Sequence, residues 1–218
     1  MRFCATDSFR LATCVLPSQY KEELSINIPE VAVDVLMSLG DDIELHLIKH
    51  DKAVKKVVAN SGNTIVEFFV ITDPYPHYKS LLPTESVWKV QYDLHSITEK
   101  IESMNKAFNM YSPGSIQKEV ERSAAKLIFD IHQFDTKLLS VGSSEEVIAE
   151  ATIMNEIETT EERICINPFQ LISIVKSIKS NTVNNSVLMF KSSSNANLIF
   201  INSDSEPEWL YIDVLRRE

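Results

Sequence analysis

The chain has 218 residues, 44% of them hydrophobic and 24% charged, which suits one large or two small globular domains. It contains only 4 glycines and 8 prolines, so neither a disordered nor a fibrous protein is indicated. The formal net charge of -10 argues against a protein that grips nucleic acid over its whole surface, but it is compatible with local basic strips. Every apolar run is shorter than the ~20 residues of a membrane span. The 3 cysteines lack C-x-x-C spacing, and the first residues lack the apolar segment of a signal peptide, which favours the cytoplasm.

The first part of the chain is predicted to hold one helix among short strands. The turn-like Thr6-Asp7-Ser8 predicts a hairpin of strands Arg2–Thr6 and Arg10–Leu16. Pro29 ends a short strand over 25–29 and precedes a helix over 30–39, with Gly40 as its stop. The residues predicted to form the buried stripe of this helix are Val31, Ala32, Val35, Leu36 and Leu39. Strands are predicted at Ile43–Ile48, Ala53–Ala59 and Thr64–Thr72, with a turn at Ser61-Gly62-Asn63 and an irregular connector over 73–78.

The later part of the chain repeats this alternation. Apolar residues at helical spacing from Leu94 to Phe108 predict a helix after a strand at Ser86–Gln91. Residues 112–123 are polar and are predicted to form a loop, and a second helix is predicted around Leu171 to Ile178. The remaining predicted strands are Lys126–Phe134, Lys137–Gly142, Glu145–Glu158, Val187–Lys191, Asn197–Asn202 and Trp209–Leu215.

An internal repeat accompanies this order of elements. The segment ICINP at 164–168 repeats the pattern of SINIP at 25–29, and a helix follows each segment. The unit strand–proline–helix–strands therefore occurs at 25–72 and 164–215, with a less similar copy at 86–158. Such units place one amphipathic helix on one face of an antiparallel sheet, so the predicted class is α+β.

Four segments, in this order, resemble motifs of the bacterial DNA polymerase III beta subunit, the sliding clamp. RFCATDSFRLA at 2–12 is similar to the family's ATDGHRLA, and YPHYKSLLP at 75–83 to its FPDYRRVIP connector. INPFQLI at 166–172 is similar to NPRYLLDVL, and the tail at 211–216 lies where the family has VVMPMR. The resemblance covers the whole chain and implies the DNA-clamp fold, in which antiparallel sheets lie outside and helices line an inner face. It implies that residues 1–82 are the C-terminal half of the clamp's middle domain and residues 83–218 its C-terminal (third) domain.

The function implied by the resemblance is mechanical, so no catalytic residue and no cofactor are expected. Family clamps form a homodimeric ring that encircles duplex DNA without reading its sequence and tethers the replicative DNA polymerase as a processivity factor. The clamp loader and other clients dock through short linear peptides, and the expected location is the cytoplasm at the nucleoid. The first domain of the family, which helps to close the ring, has no counterpart here. An alternative is therefore a truncated, clamp-like regulatory module that binds clients without encircling DNA.

The resemblance also implies a hydrophobic pocket for client peptides. Ser8, Phe9, Ser80 and Asp213 depart from the family's residues, and the carboxylate of Asp213 replaces an apolar contact unless it pairs with Arg10 or Arg216. Without the family, Thr6–Leu11 reads as a plain hairpin. The matching positions are Thr6, Ser8, Phe9, Arg10, Leu11, Pro76, Ser80, Leu81, Tyr211, Ile212, Asp213, Val214, Leu215 and Arg216.

The helices that resemble the clamp's inner wall carry four candidate DNA-facing lysines, and a solvated helix face is the alternative reading of each. Lys176 and Lys179 are three residues apart, so they share one side of a helix. The other two are Lys100 and Lys106. The helix at 30–39 bears Glu30 and Asp34 without a basic residue, which departs from this pattern. The five histidines are scattered without the spacing of metal ligands, so no metal site is predicted.

Overall fold

A computed structural model describes residues 1–16, 24–40, 42–51, 53–111, 124–142, 145–181, 186–192, 198–203 and 208–215. Its backbone packing divides the chain into two compact units, one of residues 1–18 with 79–218 and the other of residues 19–78. The predicted division into clamp domains at residues 82 and 83 stays a prediction. The hairpin at the start of the chain belongs to the larger compact unit because it pairs with the last strand.

The described residues form α-helices and β-strands in the predicted alternation. The helices are α1 (Glu30–Ser38), α2 (Leu94–Tyr111) and α3 (Pro168–Asn181). The strands of the first part are β1 (Arg2–Thr6), β2 (Arg10–Val15), β3 (Glu44–His50), β4 (Ala53–Ser61) and β5 (Thr64–Phe69). Those of the later part are β6 (Ser86–Asp93), β7 (Lys126–Ile131), β8 (Asp135–Val141), β9 (Val147–Met154), β10 (Glu162–Ile166), β11 (Ser186–Ser192), β12 (Leu198–Ser203) and β13 (Glu208–Val214).

The larger unit contains two antiparallel sheets built by two repeats that exchange strands. One sheet has the order β1-β2-β13-β12-β11-β6 and the other β10-β7-β8-β9. The first repeat runs from β6 through α2 to β9, and the second from β10 through α3 to β13. The first strand of each repeat pairs with the other repeat, β6 with β11 and β10 with β7. The two repeats therefore form one interlocked domain.

A single apolar core joins α2 and α3 to both of these sheets. α2 contributes Leu94, Ile97, Ile101 and Met104, and α3 contributes Leu171, Ile174, Val175 and Ile178, all of them buried. This spacing is that of an amphipathic helix, whose apolar stripe must be covered. The side-chain oxygen of Asn167 caps α3 by accepting hydrogen bonds from the backbone N–H groups of Phe169 (2.9 Å) and Gln170 (3.2 Å).

The smaller unit has one helix, α1, and one antiparallel sheet of order β3-β4-β5. Gly40 follows α1 with a φ of 94°, and Gly62 lies in the β4–β5 turn with a φ of 55°, so both predicted turns are confirmed. Burial in this unit is slight. The described residues that are buried hydrophobics here are Ala32, Val54, Val57 and Ala59.

Three predictions about the smaller unit are wrong in detail. Val31 is 70% exposed and Val35 is also exposed. The buried stripe of α1 is therefore narrower than predicted and consists of Ala32, with Leu36 and Leu39 half-buried. The predicted strand at 25–29 is reduced to a single bridge between Asn27 and Ile71, and β5 ends at Phe69 instead of Thr72.

The predicted strands of the larger unit are confirmed with changed bounds, and β6 and β11 are longer than predicted. β7 ends at Ile131 instead of Phe134 because the chain turns there, and the N–H of His132 donates to the carbonyl of Asp135 (2.7 Å). The predicted strand at 145–158 is confirmed over Val147–Met154. The predicted loop at 112–123 and the turn residues Ser143 and Ser144 lie outside the described residues.

Candidate functional site

The turn between β1 and β2 is held by one carboxylate. Oδ1 of Asp7 accepts hydrogen bonds from the backbone N–H groups of Phe9 (3.1 Å) and Arg10 (2.7 Å). Oδ2 of Asp7 accepts from Nε (2.8 Å) and Nη2 (2.6 Å) of the Arg10 guanidinium. The hydroxyl of Thr6 closes the turn by donating to the carbonyl of Arg10 (2.7 Å). The loop is therefore fixed by side-chain bonds in addition to the strand ladder.

This arrangement has an electrostatic and a conformational consequence. Partial burial of Asp7 acts to raise its pKa, but the hydrogen bonds from the Arg10 side chain and the two backbone N–H groups prevail and lower the pKa below its usual value. Ser8 adopts a φ of 74°, a left-handed conformation that glycine takes most readily. Phe9 at the tip of the turn is 65% exposed.

Pairing of β2 with β13 brings together the two predicted segments from opposite ends of the chain. Arg10 lies opposite Asp213, and Leu11 lies opposite Ile212. Because side chains alternate across a strand, these two pairs lie on opposite faces of the sheet. The sheet thus divides the predicted pocket residues into two groups.

The first group consists of Arg10, Tyr211 and Asp213, whose side chains face α3. Nη1 of Arg10 donates to the hydroxyl of Ser173 (2.9 Å), which itself donates to the carbonyl of Gln170 one turn back (2.7 Å). Ser177, one turn further along α3, hydrogen-bonds the hydroxyl of Tyr211. Burial raises the pKa of Tyr211, although that hydrogen bond opposes the shift. α3 therefore anchors both β2 and β13.

Asp213 belongs to this same group and is 0% exposed, the most complete burial of any described carboxylate. The described hydrogen bonds of Arg10 go to Asp7 and Ser173, not to Asp213. Asp213 thus lies within the protein beneath the sheet and not at a surface open to a peptide. Arg216, the other partner considered for it, lies outside the described residues.

The second group lies on the outer face of the sheet, next to a cavity of about 230 Å³. Leu11 and Ile212 are buried there, and Thr13, one strand repeat beyond Leu11, lines the cavity. The sequence reasoning missed these lining residues. Thr13 and Val15 could have been found from the sequence, because side chains alternate along β2 and these two residues share the face of Leu11. The lining residues are Arg2, Thr13, Val15, Leu82, Pro83, Phe190 and Leu210.

The connector residues of the predicted pocket lie just before the cavity in sequence. Ser80 and Leu81 are in a 3₁₀ turn over Tyr78–Leu81, and both are exposed, Leu81 by 39%. Pro76 belongs to the compact unit 19–78, where its carbonyl accepts from the N–H of Tyr78 (2.8 Å). Val214 ends β13, and Leu215 packs half-buried against the core of the larger unit.

The predicted DNA-facing lysines lie on α2 and α3. Lys106 is exposed and Lys100 is half-buried on α2. Nζ of Lys176 on α3 lies 3.1 Å from a carboxylate oxygen of Glu102 on α2, so this lysine forms an ion pair between the two helices. Lys179 is on α3, but its side chain lies outside the described part of the structure. Together the two helices carry four lysines against two glutamates, in a chain whose net charge is -10.

Other kinds of site find little support in the described part of the chain. No group of three or more described His, Cys, Asp and Glu residues could hold a metal ion. Cys4, Cys14 and Cys165 are all described and form no disulfide. No described helix is long and apolar enough to cross a membrane.

Comparison with known proteins supports the fold through structure and not through sequence. No protein-family model matches the sequence, and no curated protein matches it. The whole chain matches a DNA polymerase sliding clamp from Caulobacter crescentus at a TM-score of 0.77 and 14% identity, covering 53% of that chain. It likewise matches a DNA polymerase III subunit beta from Pseudomonas aeruginosa bound to griselimycin (TM-score 0.76, 17% identity, 54% of that chain).

A third similar structure is a DNA polymerase III subunit beta from Borrelia burgdorferi in complex with a natural product (TM-score 0.77, 15% identity, 52% of that chain). In each case 100% of this chain is covered, so it spans about half the length of the clamps it matches. The antiparallel sheets and amphipathic helices described above therefore form the sliding-clamp fold of bacterial DNA polymerase III beta subunits.

Proposed function

We propose that the protein acts in DNA replication as a sliding-clamp subunit, or as part of one, and that it is not an enzyme. The observation that carries this proposal is the match of all 218 residues to clamp structures at TM-scores of 0.76 to 0.77. In this role α2 and α3 face duplex DNA, and the chain tethers the replicative polymerase and other clients in the cytoplasm. The clamp loader and a homodimeric ring belong to the same proposal.

The client site is proposed on the outer face of the larger unit's sheet. Leu11 and Ile212 are buried apolar residues beneath its floor, next to the cavity that Thr13 lines. Leu81 is placed to contact an apolar client residue because it is half-exposed and directly precedes the lining residues Leu82 and Pro83. The β1–β2 turn, with Phe9 exposed at its tip, is proposed as a rim. Ser80 completes the connector side, with Val214, Leu215 and Arg216 on the tail side, and Pro76 stays a prediction from the sequence.

Arg10, Tyr211 and Asp213 have a supporting part in this proposal. They face α3, and Arg10 is bound to Asp7 and Ser173. They hold β2, β13 and the turn in place without lining the outer floor. The same reasoning gives Thr6 and Ser8 the task of shaping the turn.

Binding of a Gln-Leu-x-Leu-Phe peptide, measured by isothermal titration calorimetry, tests the client site. Leu81→Asp removes an apolar contact and forces a carboxylate against the peptide, which we expect to cost about 2 kcal/mol, or about thirty-fold in Kd. Val147→Asp is the matched control, because Val147 is an exposed apolar residue on β9, outside the proposed site. Equal affinities of Leu81→Asp and the unsubstituted protein would refute the assignment, as would an absence of binding by both.

A further inference from the structure

The cavity on the outer face of the larger unit's sheet has walls of two kinds. Two of its lining residues, Arg2 and Thr13, carry polar side chains, and the others are apolar. The apolar residues come from β2, β11, β13 and the segment that precedes β6, and they are Val15, Leu82, Pro83, Phe190 and Leu210. Pockets of this composition enclose an apolar group and fix its orientation through a few polar contacts.

The strand register places the two polar residues of the cavity beside each other. Cys4 of β1 lies opposite Thr13 of β2, and Arg2 precedes Cys4 by two residues on β1. Because side chains alternate along a strand, Arg2 and Thr13 lie on the same face as diagonal neighbours, about 7 to 8 Å apart. The long side chain of arginine spans that distance. One carboxylate can therefore accept hydrogen bonds from both the guanidinium and the hydroxyl.

Both polar side chains have hydrogen-bonding capacity to spare. Among the described residues, none forms a hydrogen bond or an ion pair with the side chain of Arg2 or Thr13. Thr13 is only 5% exposed, so its hydroxyl has lost most of its contact with bulk water without gaining a described protein acceptor. A buried polar group in that state favours a ligand that supplies the acceptor. Thr13 and Arg2 thus point to a ligand with a hydrogen-bond acceptor beside an apolar group.

The charges around the cavity favour an acceptor that is negative. Lys89 of β6 lies opposite Phe190 of β11, so it shares the face of that lining residue. Lys89 is exposed and, like Arg2, has no described ion pair. None of the described lining residues is acidic. In a chain whose net charge is -10, this face therefore carries a local positive potential that attracts an anionic group.

The size of the cavity limits how far apart the apolar and anionic groups of the ligand can be. Its volume of about 230 Å³ lies below the range of about 300 to 1,000 Å³ that holds a drug-sized molecule, so it suits a single large residue. An apolar residue at the end of a peptide carries its side chain and its α-carboxylate on the same carbon atom. An apolar residue within a peptide has no charge of its own. The cavity therefore fits the C-terminal residue better than an internal one.

We propose that the cavity binds the C-terminal residue of a client peptide. The α-carboxylate of that residue accepts hydrogen bonds from Arg2 and Thr13, and its apolar side chain packs against Phe190 and Leu210. Leu81, which directly precedes the lining segment, contacts an apolar residue earlier in the same peptide. The inference rests on the proposed client site and deepens it, because it names the end of the peptide that the cavity recognises.

Isothermal titration calorimetry with two forms of one peptide tests the proposal. The peptide Gln-Leu-x-Leu-Phe is made with a free C-terminal carboxylate and with a C-terminal amide. We expect the free acid to bind the unsubstituted protein about ten-fold more tightly. Arg2→Gln should abolish this preference, and Thr13→Val should reduce it to about three-fold. Arg163→Gln, at an exposed arginine of β10 in the other sheet, is the matched control and should keep the ten-fold preference.

The outcomes separate this inference from the client site on which it rests. Equal affinities of the two peptide forms would overturn the inference and leave the client site standing, whereas an absence of binding by both would refute the two together. A preference for the free acid that survives in Arg2→Gln would also overturn the inference. A third peptide, amidated and with aspartate after the phenylalanine, completes the test. Binding of this peptide as tight as that of the free acid would overturn the choice of a chain end in favour of an internal acidic residue.

Discussion

The carboxylate of Asp7 stabilises the β1–β2 turn in two ways, and substitutions can separate the two contributions. Asp7→Ala removes both oxygens, so the N–H groups of Phe9 and Arg10 lose their acceptor and the guanidinium of Arg10 loses its ion pair. Asp7→Asn keeps an oxygen where Oδ1 lies, but it puts an uncharged NH₂ group in place of Oδ2. The alanine variant tests the whole turn, and the asparagine variant tests the charge.

The expected magnitudes follow from exposure and geometry. The side chains of Arg10 and Asp7 are 35% and 44% exposed, so their ion pair contributes about 0.5 to 1 kcal/mol. The two backbone bonds to Oδ1 resemble a helix cap, for which replacement by alanine costs about 1 kcal/mol. We therefore expect Asp7→Ala to lower the free energy of unfolding by about 2 kcal/mol and Asp7→Asn by less than about 1 kcal/mol.

Urea denaturation followed by circular dichroism measures these differences, with Arg10→Ala and the double variant completing a thermodynamic cycle. The cycle should give a coupling of about 0.5 to 1 kcal/mol between Asp7 and Arg10. Met154→Ala, at an exposed position of β9, is a control that should change little. Equal losses for Asp7→Ala and Asp7→Asn, or additive losses in the cycle, would refute the account of the turn.

Two further predictions concern charge. The pKa of Asp7 is lowered in the folded state, so its stabilising effect is complete above the ordinary aspartate range. That effect is lost as the pH falls through the pKa of the folded protein. Urea titrations at a series of acid pH values should show this loss in the unsubstituted protein and not in Asp7→Asn. Glu102→Gln removes the ion-pair partner of Lys176, so binding to duplex DNA should strengthen. Fluorescence anisotropy at several salt concentrations should also show that the slope of log binding constant against log salt concentration steepens by up to about 0.9. An unchanged slope would show that Lys176 does not contact phosphate.

Local patterns in the sequence were sufficient to predict the elements. The β1–β2 hairpin, the α2 and α3 helices and the turns at Gly40 and Gly62 depend on nearby residues, and all are confirmed. The burial of α1 could not be predicted in the same way. Val31 and Val35 fit the periodicity of a buried stripe, but periodicity does not show how many strands are available to cover the helix.

The candidate site shows the same limit. The motifs correctly brought 2–12 and 211–215 together, because β2 pairs with β13. They treated Arg10 and Leu11 as neighbours in one pocket, whereas the strand sends their side chains to opposite faces. The ion pair of Lys176 with Glu102 depends on how α2 packs against α3, and no spacing within either helix indicates it.

The pairing of β2 with β13 also constrains when the protein can finish folding. Ala12 pairs with Tyr211, which is synthesised much later. The β1–β2 hairpin must therefore wait, with one strand edge open, until β13 has been synthesised. Contacts so distant in sequence form slowly, and an open edge is prone to aggregation meanwhile. The bonds of Asp7 close the turn locally, so they would preserve the hairpin throughout this interval.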